Sequence, residues 1–95
     1  MTDLKIEYVD NIWDAISDTP EDAENLRVRA ELMSNISQII QLNKWTQRDA
    51  AKHCHVTQPR MNDLLRGRIS HFSIDSLVKI ASALGRRTHI QLEVA

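Results

Sequence analysis

The side chains of this 95-residue chain that are best suited to chemistry stand in one run, His53-Cys54-His55, with His71 further on. Imidazole and thiolate are ligands for zinc and other transition metals. The spacing argues against that use. Successive helical residues project about 100° apart, so the run cannot converge on one ion, and a single thiol with scattered imidazoles has none of the paired spacings of a zinc site. Cys54 reads instead as a small buried group and the histidines as surface imidazoles. The sequence has no nucleophile motif and no paired-carboxylate motif, and with two glycines in all it has little from which to build a phosphate-cradling loop. Neither an enzyme nor a cofactor is expected, which leaves recognition by hydrogen bonds and charge.

The net charge of −1 hides a strong asymmetry. Residues 1–31 hold nine acids (Asp3, Glu7, Asp10, Asp14, Asp18, Glu21, Asp22, Glu24, Glu31) against Lys5, Arg27 and Arg29, a net −6. Residues 32–95 hold nine bases (Lys44, Arg48, Lys52, Arg60, Arg66, Arg68, Lys79, Arg86, Arg87) against Asp49, Asp63, Asp75 and Glu93, a net +5. The basic part suits a polyanion and the acidic part a basic partner, or helix capping and solubility. The length suits one small core. No apolar run approaches the roughly 18 residues of a membrane span. The start Met1-Thr2-Asp3-Leu4-Lys5 does not resemble a leader, and the lone Cys54 cannot form an internal disulfide, so a cytoplasmic location is expected.

Four helices must position these residues. Asp18-Thr19-Pro20-Glu21-Asp22 combines an N-cap candidate, a Pro at the first helical position and acids in the first turn. Leu26, Ala30, Met33, Ile36 and Ile40, widened by Leu32 and Ile39, carry that helix to about Leu42. Thr46 caps a second helix of about two turns, with Asp49 reaching back as in a short capping box and Trp45 as a hydrophobic staple. Thr57 caps a third, which tolerates Pro59 in its first turn, buries Met61, Leu64 and Leu65, and stops at Gly67. Ser73 caps a fourth with the stripe Ile74, Leu77, Val78, Ala81 and Leu84, ended by Gly85. The period then changes to two. Thr88, Ile90, Leu92 and Val94 alternate with Arg87, His89, Gln91 and Glu93, which predicts a strand with one buried face. A lone strand needs a partner edge. Lys5-Ile6-Glu7-Tyr8-Val9 is a weak candidate, and the same strand of a second copy is favoured because a two-fold contact satisfies both with one sequence. Trp13, in Asn11-Ile12-Trp13-Asp14-Ala15-Ile16, reads as a helix-anchoring core residue.

Two short helices crossing closely need a small residue at the contact, a tight turn, and apolar anchors on the second helix. Ala51, the Cys54 to Val56 turn, and Met61 with Leu64 supply these. In Thr46-Gln47-Arg48-Asp49-Ala50-Ala51 and Val56-Thr57-Gln58-Pro59-Arg60-Met61-Asn62-Asp63-Leu64-Leu65-Arg66-Gly67 the chain resembles the lambda repressor-like (Xre) helix-turn-helix family. The following Ser-His-Phe-Ser-Ile-Asp-Ser-Leu and the terminal strand resemble antitoxins of the HigA and HipB type. His55 departs from the family's usual Gly at a left-handed turn position, a conformation His tolerates better than most residues.

The resemblance implies a mainly α fold, a helix-turn-helix bundle of four to five helices with a C-terminal dimerisation strand. Residues 1–18 would be an acidic segment ordered in part, 19–85 the helical domain and 86–95 the strand. It also implies that residues 57–66 enter the DNA major groove. Gln58 is then the best base reader, because its amide can pair in bidentate fashion with adenine; Arg60 could grip a guanine or a phosphate, Asn62 is a second amide, and Thr57 and Pro59 complete the reading surface. Gln47, Thr46, Lys44, Arg48, Arg66 and Arg68 would hold the phosphate backbone, and Thr88, Ile90, Leu92 and Val94 the dimer. The expected function is a homodimeric repressor on a palindromic operator, serving as the antitoxin that silences a RelE/HigB-like ribonuclease. The rivals are a stand-alone regulator of the same family and an adaptor that kept the fold but lost DNA binding.

Overall fold

The computed structural model describes residues 18–94. It contains α1 (Pro20–Leu42), α2 (Gln47–Cys54), α3 (Gln58–Leu65), a 3-10 turn (Ile69–His71) and α4 (Ile74–Ala83). Among the described residues there are four α-helices, where four to five were expected for the chain. Trp13, the acids before Asp18 and the stretch Lys5-Ile6-Glu7-Tyr8-Val9 lie outside the described residues.

Each helix starts on the hydroxyl predicted for it. The oxygens of Thr19, Thr46, Thr57 and Ser73 accept from the backbone N–H three residues on, at 3.1, 3.1, 3.3 and 3.0 Å. Asp49 makes no return bond; its exposed carboxylate sits in the first turn of α2, where the helix dipole favours a negative charge. The reciprocal box forms at α4 instead, where Ser73 N–H donates to the Ser76 hydroxyl at 3.0 Å.

The four ends share one device. Lys44, His55, Gly67 and Gly85 all take positive φ (56°, 58°, 72° and 73°). The next residue's N–H then turns back to a carbonyl five positions earlier: Trp45 to Ile40, Val56 to Ala51, Arg68 to Asp63 and Arg86 to Ala81. These are Schellman closures, which satisfy carbonyls that a helix end leaves orphaned. Two of them use non-glycine residues, and His55 adopts the left-handed turn anticipated for it.

The core draws Met33, Ile36 and Ile40 from α1, Ala50, Ala51 and Cys54 from α2, Met61 and Leu64 from α3, Leu77 and Ile80 from α4, and Phe72 from the loop before α4. Ala50 and Ala51 have no bulk beyond Cβ, so α2 can lie close against its neighbours. Leu65, expected inside, is 40 % exposed, because α3 turns its inner face through Met61 and Leu64 and puts Leu65 on the outer rim. Trp45 packs against the core and stacks flat on the His53 ring, 3.9 Å between centroids and 8° between planes.

The expected strand is not formed in the single chain. Residues 86–94 have no regular structure, and Ile90, Leu92 and Val94 are 78 %, 92 % and 100 % exposed, while Thr88 is half-buried. The alternating pattern is present, but among the described residues no edge lies beside it to complete a ladder, and an unpaired extended segment buries neither face.

Burial pushes the Cys54 thiol up from 9.0 to about 11. A raised pKa means that the native protein holds its proton longer than the unfolded chain. The associated stability is therefore complete below about pH 9 and lost as pH rises toward 11. The loss should be on the order of 2 kcal/mol, read as a fall in the urea midpoint between pH 8 and 11 that Cys54→Ala does not share. Parallel curves for the two proteins would remove the thiol as its source.

Candidate nucleic-acid interface

The turn between α2 and α3 is short because it is closed twice, by His55 N–H to Lys52 O at 3.3 Å and by Val56 N–H to Ala51 O at 3.0 Å. Thr57, with φ −74° and ψ 160°, then starts α3 directly. A further tie joins the two helix starts: Gln47 Nε2 donates to the Gln58 carbonyl at 3.2 Å. Gln47, expected on phosphate, thus spends its amide N–H on holding the beginning of α2 against the beginning of α3.

The exposed side of α3 carries Gln58, Pro59, Leu65 and Arg66, with Asn62 half-buried beside them. At about 100° per residue, Asn62 follows Gln58 by some 40° and Leu65 by roughly −20°, so the two amides and Leu65 form one strip. The Gln58 and Asn62 side chains take no hydrogen bond within the described residues and present donors and acceptors outward. Thr57 has its hydroxyl on the cap.

Arg60 is placed differently. Its guanidinium lies 4.4 Å from the Phe72 ring centre, and its Nη1 donates to the His71 carbonyl at 2.8 Å. Cation–π attraction and a charge-assisted hydrogen bond hold it on the far side of α3, away from the Gln58 strip. The structure brings Gln58, Pro59 and Asn62 together and does not bring Arg60 to them. Arg68 is likewise engaged: its Nη1 lies 3.4 Å from Asp63 Oδ1, and Asp63 Oδ2 lies 3.1 Å from His71 Nδ1.

Among the described residues, Lys44, Arg48, Lys52 and Arg66 around the two helices are exposed cations with no acidic partner. Lys52 was not singled out from the sequence; it needed only its place on the outer face of α2. Two of the four α1 acids are less available: Arg27 forms a fork onto Glu24 at 2.7 and 2.9 Å and reaches Glu31 at 3.3 Å. The Arg27 guanidinium holds the Glu24 carboxyl below its usual range.

Two residues that sequence reasoning missed fix the arrangement. Arg29 Nη1 donates to the carbonyls of Ile69 at 3.2 Å and Phe72 at 3.1 Å, so α1 anchors the segment that follows α3. Its Nε is buried without a partner. Phe72 is 2 % exposed in the core. It precedes the Ser73 cap, as a staple residue does, with Leu77 at the matching position, and that signal could have found it. Nothing in the sequence marks Arg29.

A capped short helix crossing a second one behind a closed turn, with amides outward and free cations beside it, defines a helix-turn-helix module. The family model described as a helix-turn-helix domain matches residues 15–93, and the chain belongs to that family. Neither a curated protein nor a solved structure matches it. No helix among the described residues is long and apolar enough to cross a membrane.

Proposed function

We propose that the protein is a sequence-specific transcriptional repressor that binds DNA as a homodimer and serves as the antitoxin of a toxin–antitoxin pair. The observation that carries the DNA-reading part is the strip of Gln58 and Asn62 on the open face of α3, flanked by the unpaired cations Lys44, Arg48, Lys52 and Arg66. Amides at this spacing can read base edges while the cations and the Thr46 cap region meet phosphates. Arg60, tied to Phe72 and His71, supports the angle of α3 rather than reading bases. Thr88, Ile90, Leu92 and Val94 supply the edge for a second copy.

A two-fold dimer presents two α3 helices to successive major grooves, so selection from random-sequence duplexes should return an inverted repeat with half-sites about 10 base pairs, or a multiple, apart. Recovery of single, unpaired sites would overturn the dimeric reading. Gln58→Ala should cost about 1–3 kcal/mol on the selected site and relax its sequence, whereas Arg66→Ala should weaken all duplexes alike. An equal loss on selected and random DNA would remove Gln58 from base reading.

The antitoxin part rests on the resemblance of the segment after α3 to the HigA and HipB type and on the acidic N-terminal third, which suits a basic ribonuclease partner. Co-purification with the product of the neighbouring gene tests it. A short basic ribonuclease-like protein supports it, and the absence of such a gene favours a stand-alone regulator.

A further inference from the structure

One carboxylate engages a cation just past the end of α3. Asp63 lies about 140° round α3 from Gln58, on the side that also carries Arg60, and its side chain is 22 % exposed. One of its oxygens faces Arg68 Nη1 at 3.4 Å and the other faces His71 Nδ1 at 3.1 Å. The backbone adds to this geometry, since Arg68 N–H closes the end of α3 on the Asp63 carbonyl at 3.0 Å. That closure, through Gly67 at φ 72°, aims the Arg68 side chain back along the helix toward Asp63. Arg66, two residues earlier, has no such partner among the described residues and is exposed. Arg60, the remaining cation of this helix, is held by Phe72 and His71.

We propose that Asp63 sets the specificity of the DNA-binding surface by withholding Arg68 from the phosphate backbone. This rests on the DNA-binding reading above and deepens it. A phosphate contact from arginine adds affinity for every sequence equally. A carboxylate that occupies the guanidinium, and itself repels phosphates, lowers that uniform contribution and leaves a larger share of the binding to the amides of Gln58 and Asn62. Asp63 thus acts through Arg68 as a positioning residue, and the quantity it governs is the number of phosphates each protomer neutralises.

The salt dependence of affinity counts those contacts, with a slope of about −0.9 per phosphate on duplex DNA. The full chain should be titrated onto a random-sequence duplex between low and physiological salt, as wild type, Arg68→Ala, Asp63→Asn and the double variant, with thermal melts confirming that each is folded. Wild type and Arg68→Ala should give the same slope. Asp63→Asn should steepen it by about 0.9 per bound protomer, and Arg68→Ala in that background should remove the increase. The ratio of affinities for selected and random DNA should fall in Asp63→Asn. A merely structural role for Asp63 would move the melting temperature and leave the slope unchanged. If Arg68→Ala flattens the wild-type slope as much as it flattens that of Asp63→Asn, Arg68 already sits on phosphate and the proposal is overturned. Absence of any salt-dependent duplex binding by the wild type would be a different result: it would overturn the DNA-binding reading and the inference with it.

Discussion

Phe72→Ala is expected to lower stability by about 3–5 kcal/mol, the usual loss when a buried aromatic is truncated and its cavity only partly collapses. Phe72 is buried among residues from every helix, its carbonyl accepts from Arg29, and its ring carries the Arg60 guanidinium. Total stabilities of small domains are about 5–15 kcal/mol, so this one substitution removes a large part of the margin. Far-UV circular dichroism should show the melt falling by on the order of 15–30 °C. Phe72→Leu separates the two roles of the ring. It keeps most of the apolar volume and should cost about 1–1.5 kcal/mol, while removing the face on which Arg60 rests. If Phe72→Leu weakens binding to selected DNA more than its small stability loss explains, the stack is orienting α3. A Phe72→Ala loss below about 1 kcal/mol would mean that the core is not organised around this residue.

Removal of residues 87–95 is expected to leave a folded monomer whose melting temperature falls only by the concentration-dependent amount that dimer formation contributed, and to reduce operator affinity by about 10²–10⁴-fold. The first expectation follows from exposure: Ile90, Leu92 and Val94 bury almost nothing within the chain. The second follows from linkage, because a dimer turns binding of the second α3 into an intramolecular event. Sedimentation should report a dimer for the full chain and a monomer for the truncated one. Replacing Ile90 and Leu92 together by Lys should reproduce the loss without shortening the chain. A truncated protein that remains dimeric would place the two-fold contact elsewhere.

Much of the helical fold was legible in the sequence for local reasons. A hydroxyl before a helix, a proline in its first turn and a glycine after its end act within a few residues, and Thr19, Thr46, Thr57, Ser73, Pro20, Pro59, Gly67 and Gly85 all stand in the roles their types suggest. Lys44 was less legible, because a left-handed lysine carries no compositional signal; it is imposed by the closure from Trp45 to Ile40. Leu65 misled because helical periodicity gives the width of a stripe and not its edge, and the edge depends on where α1 lies.

The candidate reading surface divides in the same way. The positions of Gln58, Asn62 and Arg66 on or just after a short capped helix could be read from the sequence. The fates of Arg60, Arg68 and Gln47 could not, since each is decided by a partner eleven or five positions away that folding alone brings near: His71 for Arg60, Asp63 for Arg68 and the Gln58 carbonyl for Gln47. Where the helices begin and end, and which one carries the amides, could be read from residue types alone because caps and turns are local. Which cations remain free among the described residues, and where Arg29 and Phe72 fasten the loop, came from packing between the helices. Among the described residues, packing also offers the terminal segment no edge. Contacts between distant residues have no signature in residue type, and a strand is defined by a neighbour that its own sequence does not contain.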